Sequence, residues 1–492
     1  MNDYLHGVYG DITASSTAST KQGGMVSAFV GTAPIHMIRD YADKNLVNEP
    51  IKLTSMADAI TKIGYSDDFE TYTLCEVVAT HFNNPKGNVG PIYVINVLDP
   101  DVAKSVETQG KEVTFINRTG YISQKDLIPD TVAIVDLVEG DDYSLDYDEG
   151  KGLLTIKVLK DTVLPETNKL TVTYSTIDIT AVGVDEIIGT VTADKQYSGL
   201  QALQLIYPKY NAVLNYLAVP GWSHIPKVHV AMSSIVQKLS GHWDGFIHVD
   251  LPVEDDEGNP LDTDDGVKAW KKAHGYDVES SKSCWPMGIN SAGQVVHAST
   301  TEVWRMLKTD VENDNIPFES PSNKEVDIIA PYFGPKSKRK TLDEASANDL
   351  NAAGITTFNY SGGKWVLWGS HTSAYEYGKD MDARAIFDTT IRMLQYITNQ
   401  FQLKHMADID KPLSPSDLES IVVQENQNLS QLVNRGALVG KPTCEFLATE
   451  NDNTTLLNGD FTWHINATPT LVLKSATCKV SYTDEGLSAY IS

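Results

Sequence analysis

The chain has 492 residues and a formal net charge of −26, from 39 basic and 65 acidic side chains. Such a length is enough for about two to four domains with a sizeable core. The negative charge argues against a nucleic-acid binder, which needs a positive field to displace counterions, and against adsorption to anionic lipid. It suits a solvated acidic surface, a crowded particle that must stay soluble, or a surface that docks a basic partner.

The N-terminal part of the chain predicts an extended arm followed by an α/β layer. Residues 1–24 are rich in Ser, Thr and Gly and form the predicted arm. Residues 25–104 show the order strand, helix, helix, strand, which is the start of an α/β layer. The predicted elements are strand Met25–Gly31, helices Ser55–Ile63 and Phe69–Phe82, and strand Pro91–Val97.

The pattern changes between residues 105 and 182, where short alternating runs are separated by turn residues. Glycines in Asp148–Gly152 accept the positive φ of a hairpin turn. The predicted strands are Val113–Ile116, Thr131–Leu137, Leu153–Val158 and Leu170–Tyr174. Because no helical periodicity interrupts them, this segment is predicted to be a small all-β domain inserted into the α/β domain.

Residues 183–354 return to an α/β pattern. Asn215–Val219 and Gly245–Leu251 are predicted strands, and Gly199–Tyr207 and Gly266–Ala273 are predicted helices. Trp285, Trp304 and Phe318 are predicted packing anchors.

Residues 355–485 begin with two strands around the turn Ser361–Gly363 and continue with two amphipathic helices. The helix after Lys379 carries an apolar stripe about 100° wide, typical of a helix laid on a sheet. The stripe comprises Ala383, Phe387, Thr390, Ile391, Leu394, Ile397 and Phe401. Ser414, Pro415 and Asp417 begin the next helix as N-cap, first helical residue and capping-box partner. The predicted closing strands are Cys444–Ala448, Asp460–Asn466 and Lys479–Thr483.

Both ends of the chain contain short strand-competent runs that cannot pair with themselves. Either run could pair with the sheet edge of another copy, with backbone hydrogen bonds giving affinity and alternate side chains giving register. The alternative is that both ends are frayed. The candidate inter-subunit residues are Tyr4, Leu5, His6, Gly7, Val8 and Tyr9 at one end, and Leu487, Ala489, Tyr490 and Ile491 in the tail 486–492.

Searches for catalytic and cofactor motifs find little. The sequence has no P-loop, H-E-x-x-H or G-x-S-x-G motif, and its twelve histidines are dispersed. The acidic loop Glu254–Asp265 lacks the alternating oxygen ligands and distal Glu of a calcium loop. Trp365 and Trp368 lie three positions apart in a strand, face opposite sides and are expected to pack rather than bind a ligand. The chain is therefore predicted to be a non-enzyme that holds no cofactor and no metal.

The four cysteines are far apart and form no C-x-x-C pair, which indicates reduced thiols in a cytoplasm. The first 24 residues lack the apolar stretch of a signal peptide. The longest apolar runs, such as Ile92–Leu98, are too short to cross a bilayer. We therefore expect no membrane anchor and no secretion signal.

The order of these features resembles the contractile tail sheath proteins of phages and of R-type pyocin-like particles. The resemblance spans nearly the whole chain except residues 105–182. It is carried at the N-terminus by His6–Val8 and Met25–Pro34, and in the middle by Leu217–Gly221 and Asp250–Pro252. The matching C-terminal residues are Gly363, Trp365, Trp368, Gly369, Thr372, Arg384, Glu425, Asn426 and Gly436.

This resemblance implies an α+β multidomain fold. Its α/β core would be built from N- and C-terminal parts, with the inserted β-domain and the two arms added. The implied divisions are 1–24, 25–104, 105–182, 183–354, 355–485 and 486–492. The chain would polymerise as stacked six-fold rings around an inner tube and contract to drive that tube through a bacterial envelope.

The resemblance also implies partners and a location. Copies of the chain would exchange arms, and the sheath would contact the inner tail tube protein, the baseplate and the tail terminator. The exposed face of the second C-terminal helix, with Asp417, Glu419 and Gln424, is the hypothetical tube-facing surface, whereas Glu425 and Asn426 are expected to be structural. The location would be a virion tail or tail-like particle, assembled in the cytoplasm of a bacterial host.

Alternative interpretations remain open from the sequence. One is a sheath of a type VI secretion or extracellular contractile injection system. Type VI sheaths use two different chains, whereas this chain holds both halves. A second is a soluble cytoplasmic α/β enzyme, although no catalytic site emerges. A third is a carbohydrate-binding or adhesin-like particle protein, which only the β insert suggests.

Overall fold

The computed structural model describes residues 24–38, 40–44, 46–105, 110–148 and 151–490. The candidate arm residues Tyr4–Tyr9 and Ile491 lie outside the described residues. The strands are β1 Val26–Gly31, β2 Pro50–Leu53, β3 Ile92–Asn96, β4 Lys111–Thr114, β5 Thr119–Ser123, β6 Ala133–Ile134, β7 Tyr143–Asp148, β8 Leu153–Val158, β9 Lys169–Thr173, β10 Leu214–Ala218, β11 Phe246–Asp250, β12 Ser281–Cys284, β13 Met287–Ile289, β14 Val295–Val296, β15 Ala330–Tyr332, β16 Ile355–Ser361, β17 Lys364–Trp368, β18 Leu438–Glu445 and β19 His464–Pro469. The α-helices are α1 Met56–Ile63, α2 Thr73–Phe82, α3 Val184–Ile188, α4 Ile206–Tyr210, α5 Pro226–Ile235, α6 Asp264–Ala273, α7 Ala298–Glu312, α8 Glu344–Asn351, α9 Asp388–His405, α10 Pro415–Asn434 and α11 Asn453–Leu457.

The main sheet has eight strands in the order β17-β16-β12-β11-β10-β1-β3-β2. Its six inner strands are parallel, and an antiparallel strand closes each edge. Parallel strands covered on both faces are apolar throughout, and β1, β3 and β11 are buried at every position. The α/β pattern predicted for residues 25–104 and 183–354 is therefore present in one continuous sheet, which β16 and β17 extend.

The strands from β4 to β9 pair only with one another among the described residues, in two antiparallel three-stranded sheets. They enclose a separate hydrophobic cluster that includes Ile122, Leu154, Ile156 and Val172. The hairpin predicted around Asp148–Gly152 joins β7 to β8, which pair from Tyr143↔Val158 to Asp148↔Leu153. The predicted strand Thr131–Leu137 is mostly wrong, because Pro129–Thr131 forms a 3-10 turn, only Ala133–Ile134 forms a strand, and Leu137 makes an isolated bridge back to Ile134. The domain boundaries at 105 and 182 stay a prediction.

The predicted packing anchors are buried in two different clusters. Trp285 and Trp304 have no exposed surface and lie in the main core. Phe318 is half-buried and packs against a third cluster, which joins α9, α10, β18 and Ile316. The C-terminal elements therefore have their own small core beside the main sheet.

Four C-terminal elements differ from the sequence prediction. The helix expected after Lys379 begins at Asp388, because residues 383–385 form a 3-10 turn and Arg384 lies in that turn. The closing strands are Leu438–Glu445 and His464–Pro469. The predicted strand Lys479–Thr483 is wrong for the isolated chain, since residues 479–483 form no regular element.

Candidate assembly surface

The C-terminal unit, defined here as residues 415–469 with α10, β18 and β19, is organised by local sequence signals. Ser414 caps α10 through a reciprocal capping box with Asp417, and Pro415 follows at the first helical position. At the other end Gly436 has a φ of +77°, which lets the chain turn from α10 into β18. The sequence therefore predicted this helix and its cap correctly.

Asn426 ties α10 to β18. Its side chain accepts a hydrogen bond from the backbone N–H of Cys444 at 3.0 Å and donates one to the Cys444 carbonyl at 2.9 Å. These bonds occupy backbone groups on β18 that would otherwise be open to a third strand. The outer edge of β18 is therefore blocked at Cys444 by the chain's own side chain.

Glu425 lies at the contact between α9 and α10 and is 4% exposed. His405 Nε2 lies 3.2 Å from its Oε1, Asn428 donates to the same oxygen at 3.1 Å, and Lys404 lies 3.6 Å away. Burial acts to raise the pKa of Glu425, but the bond to His405 and the charge of Lys404 outweigh it and the pKa is lowered. The hydrogen bond to Glu425 raises the pKa of His405 in turn. Glu425 and Asn426 thus have structural partners within the chain.

The hairpin β18–β19 has no third strand within the described part of the chain. Its partners run from Leu438↔Pro469 to Glu445↔His464, with an irregularity between Val439 and Thr443. A two-stranded hairpin is marginally stable alone and presents unpaired backbone groups at its edges. Since Asn426 blocks β18, the open edge is that of β19.

Beyond the hairpin the chain is exposed. The Thr470 backbone N–H donates a hydrogen bond to the Ala437 carbonyl, and its Oγ1 donates one to the Gly436 carbonyl. Residues 471–484 form no regular element. Large apolar side chains remain in solvent along this tail, namely Leu471, Leu473, Val480, Tyr482, Leu487 and Tyr490. The predicted arm residues Leu487, Ala489 and Tyr490 lie in a 3-10 turn, Glu485–Tyr490, rather than in a strand.

The candidate tube-facing residues Asp417, Glu419 and Gln424 are all exposed on α10. Asp417 Oδ2 also accepts hydrogen bonds from Ser414 N at 2.9 Å and Ser414 Oγ at 2.6 Å. These bonds lower the pKa of the Asp417 carboxyl. Asp417 therefore has a structural role in starting α10, whereas Glu419 and Gln424 carry none that the structure shows.

The glycine and tryptophan motif lies in the β16–β17 hairpin and the segment after it. Gly363 occupies the turn with a φ of +84°. Trp365 packs edge-on against Tyr360 with ring centroids 5.5 Å apart, and Trp368 Nε1 donates to Asn348 Oδ1 at 3.0 Å. Both indoles are half-buried on different neighbours, as predicted for packing residues.

Gly369 and Thr372 bring the chain into the interior. The Gly369 carbonyl accepts a hydrogen bond from Lys282 Nζ at 2.7 Å, and Thr372 Oγ1 donates to the Ala385 carbonyl. Arg384 is half-exposed and pairs with Asp382 and Glu279 on the surface. The buried arginine of this region is Arg392, which the sequence reading did not single out.

A cluster of five buried charged side chains joins α9 to the main sheet and α7. We call Lys282, Glu302, Asp310, Asp388 and Arg392 the charge cluster. Lys282 Nζ lies 2.5 Å from Asp388 Oδ2 and 3.1 Å from Glu302 Oε1. Arg392 lies 3.1 Å from Asp310 Oδ1 and donates to the Glu319 carbonyl at 3.0 Å. Each of the five side chains is at most 1% exposed.

Neutral donors complete the charge cluster. Tyr216 OH donates to Asp310, and Cys284 Sγ lies 2.7 Å from Glu302 Oε2. Burial raises the pKa of Asp310 to about 6 despite the opposing charge of Arg392. Burial also opposes ionisation of Glu302, but Lys282 outweighs it and the pKa of Glu302 falls to about 2. Three carboxylates face two cations in this cluster, and the raised pKa of Asp310 means that burial disfavours its ionised form.

Carboxylates of the acidic loop Glu254–Asp265 have hydrogen-bond and ion-pair partners both within the loop and outside it. Asp255 Oδ1 accepts the backbone N–H groups of Glu257 and Asn259, and Lys336 pairs with Glu254 at 2.8 Å. Within the described residues no group of three or more His, Cys, Asp or Glu side chains is arranged to hold a metal ion. In the same residues no helix is both long and apolar enough to cross a membrane.

Comparisons with known proteins agree with one another. No protein-family model matches the chain. It is 25% identical over 466 residues to the tail sheath protein of Burkholderia phage BcepMu, covering 89% of this chain and 88% of that protein. It is also 25% identical over 318 residues to the tail sheath protein of Escherichia phage P2, covering 63% of this chain and 73% of that protein. Its fold matches the contracted sheath complex of an extracellular contractile injection system, PVC, with a TM-score of 0.56 and 11% identity over 99% of both chains.

Proposed function

Sequence and fold together make this chain a homologue of the contractile tail sheath proteins, and from that premise we propose that it is the structural subunit of such a sheath. The subunits polymerise as stacked rings around an inner tube and contract to drive the tube through a bacterial envelope. The work is done by packing between copies rather than by a catalytic site.

The observation that supports this proposal best is the combination of an open strand edge and a solvent-exposed apolar tail. The outer edge of β19 has no partner among the described residues, while Leu471, Leu473, Val480 and Tyr482 are each at least 76% exposed. A permanently monomeric chain would leave the open strand edge and the apolar tail exposed to water, where both favour aggregation. A second copy can cover both at once, because an extended tail adds a strand to an exposed sheet edge.

Contraction then has a simple physical form. Arms exchanged between neighbouring copies hold the C-terminal units together in a mesh. The main-sheet parts of the copies meanwhile change their packing against one another, switching between two discrete arrangements. The extended arrangement is kinetically trapped. A difference of about 2 kcal/mol per subunit, comparable to one interface hot spot, becomes large when summed over a sheath.

The tube contact is assigned to the exposed face of α10. Glu419 and Gln424 are exposed on it and have no hydrogen bond or ion pair of their side chains among the described residues, and the chain is acidic overall. Charge pairs orient a contact and remain weaker than a dry apolar seal, which suits a sheath that must release its tube. The other proposed partners are neighbouring copies in six-fold rings, the baseplate and the tail terminator. Assembly would take place in the host cytoplasm, and the product would be a virion tail or tail-like particle.

Expression of the chain alone followed by negative-stain microscopy tests the proposal. The unmodified chain should form long tubes. Removal of residues 486–492, or the substitutions Leu473→Asp and Tyr482→Asp together, should leave soluble particles of monomer size, because the tail can no longer cover a neighbour.

Val163→Asp is the matched control, since Val163 is 88% exposed but lies in the β-rich segment away from the tail. It should form tubes like the unmodified chain. Tubes formed equally well by the tail variants would contradict tail exchange, and an unmodified chain that stays monomeric at high concentration would contradict the sheath function.

A further inference from the structure

Helix α9 presents two different faces to the rest of the chain. Asp388, Arg392, Gln395 and Asn399 follow one another at steps of four, three and four residues, so they form one stripe of the helix. Met393, Ile397, Gln400 and Lys404 follow with the same steps on another stripe. The first stripe contacts the main sheet and α7, and the second contacts α10.

The stripe toward the sheet is polar, and each of its four residues makes an ion pair or a hydrogen bond across to the sheet side, while Asp388 Oδ1 and Arg392 Nε have no hydrogen-bond partner among the described residues. Asp388 and Arg392 belong to the charge cluster. Gln395 Nε2 donates to the Gly245 carbonyl at 2.9 Å. Asn399 Nδ2 donates to the Asp244 carbonyl at 2.9 Å, and its Oδ1 accepts from Asp244 N at 3.3 Å. Groups bonded in this directional way resist sliding, because any displacement leaves buried polar atoms unpaired.

The stripe toward α10 combines an apolar contact, in which Met393 and Ile397 share a cluster with Leu429, with an unfilled cleft. A cleft of about 240 Å³ lies between α9 and α10, lined by Tyr396, Gln400, Asn428 and Leu432 among others. Gln400 Oε1 is buried there without a hydrogen-bond partner among the described residues. Two ionic contacts join the two helices, His405 with Glu425 at 3.2 Å and Lys404 with Glu425 at 3.6 Å, and both use the same carboxylate. Arg435, after α10, pairs instead with Asp314 beyond α7, and its side chain is 51% exposed.

The connection between the two helices is exposed. After α9 the chain forms a short 3-10 turn, Met406–Asp408, and then has no regular structure until Ser414. Ile409 is 71% exposed, and Asp410 has a φ of +66°. Exposed segments with few contacts are usually among the least stable parts of a folded protein and open locally at low free-energy cost.

We propose that α9 belongs to the rigid body of the main sheet, and that the C-terminal unit, residues 415–469, is a second body joined to it at residues 406–414. The charge cluster and the polar stripe hold α9 on the sheet. The cleft and the exposed connection let the C-terminal unit open and reorient while its own α10–β18 contact stays intact. In a sheath this joint lies between the part that binds neighbours and the part that rotates, a role that rests on the proposed function.

Native-state hydrogen exchange of the full-length chain, measured by mass spectrometry over a range of low denaturant concentrations, tests the joint. Amides of α10 and β18 should exchange together and at least about tenfold faster than those of β11 and β12, whereas amides of α9 should exchange with the sheet. Exchange of α9 together with α10, or of all these elements at one rate, would overturn the proposal. Because assembly into tubes would also protect the C-terminal unit, exchange is measured below the concentration at which tubes form, so the outcome is independent of the microscopy test above.

Two matched variants on α9 sharpen the test. Gln400→Leu removes the unpaired oxygen and fills part of the cleft, so it should slow exchange in residues 415–469 several-fold and leave β11 unchanged. Gln395→Leu removes the bond to Gly245, so it should speed exchange in α9 and β11. An equal effect of both variants on all elements would show a single cooperative body. Should Gln395→Leu fail to fold, the Gln400→Leu variant and the unmodified chain still decide the question.

Discussion

Lys282 and Asp388 lie 2.5 Å apart between Nζ and Oδ2, and neither side chain has any exposed surface. One residue belongs to β12 in the main sheet and the other is the first residue of α9, more than a hundred positions later in the chain. Two charges taken out of water are stable only when each keeps its partner. Because this pair joins α9 to the main sheet, moving α9 away would leave both buried charges without each other and destabilise the folded state.

Loss of Lys282 should be strongly destabilising. Lys282→Met leaves Asp388 and Glu302 buried without their cation, which should lower the free energy of unfolding by about 3–5 kcal/mol. The matched control is Lys86→Met, because Lys86 pairs with Glu325 at 2.6 Å but is 38% exposed, and its loss should cost under about 1 kcal/mol. Urea denaturation followed by circular dichroism measures both, and equal losses would contradict the importance of the buried pair.

The stability contribution of Asp310 should depend on pH. Its pKa is raised from 3.8 to about 6, so the ionised carboxylate is penalised in the folded state above that pH and the penalty is relieved as the pH falls. Asp310→Asn removes the titration while keeping much of the side chain's shape. The unmodified chain should therefore gain on the order of 1 kcal/mol relative to the variant between about pH 8 and pH 5. A stability difference that stays constant over this range would contradict the raised pKa.

The contact of α9 with α10 should weaken in mild base. The pKa of His405 is raised above 6.5 by its bond to Glu425, so the added stability is present below pH 6.5 and is lost as the pH rises through the raised value. His405→Gln keeps a hydrogen-bond donor but cannot titrate, and it should remove this dependence. Hydrogen exchange of residues 415–469 at about pH 6 and pH 8, corrected for the intrinsic rate, measures the change, which should stay under about 1 kcal/mol. Identical corrected pH profiles for variant and unmodified chain would contradict it.

Elements that follow from local signals were predictable from the sequence. The capping box at Ser414, the alternation of β8 and the apolar run of β1 each depend on a few neighbouring residues, and each was placed correctly. The contacts that position α9 were not predictable in this way. The apolar stripe proposed to lie on the sheet included Phe387 and Phe401, yet the residues bonded to the sheet side are Asp388, Arg392, Gln395 and Asn399.

The contacts of α9 could not be predicted because, in a sequence, a polar stripe of a helix is indistinguishable from a solvent-exposed face until its partners are known. Lys282 and Glu302 are far from Asp388 in sequence, and single-sequence periodicity carries no information on pairs at that separation. The predicted strand at Lys479–Thr483 was wrong for a related reason: local alternation does not reveal whether a segment has a strand to pair with, and residues 479–483 form no regular element. Arg384, singled out by resemblance, proved to be a surface residue, while the arginine that matters for packing is eight positions later.

The tube-facing assignment on α10 is best tested at Glu419. Asp417 is an unsuitable position, because its reversal to Lys would also break the capping box and cost about 1 kcal/mol of helix stability. Glu419 is exposed and lies outside the capping box. We expect Glu419→Lys to leave folding and tail exchange intact but to reduce assembly of sheath on purified tubes. The loss should resemble that caused by raising the salt concentration, since both act on the same charge pairs.

Asp194→Lys makes the same charge reversal on an exposed loop away from α10 and should assemble normally. Co-sedimentation of subunit with tube measures both variants, and normal assembly by Glu419→Lys would remove α10 from the tube contact.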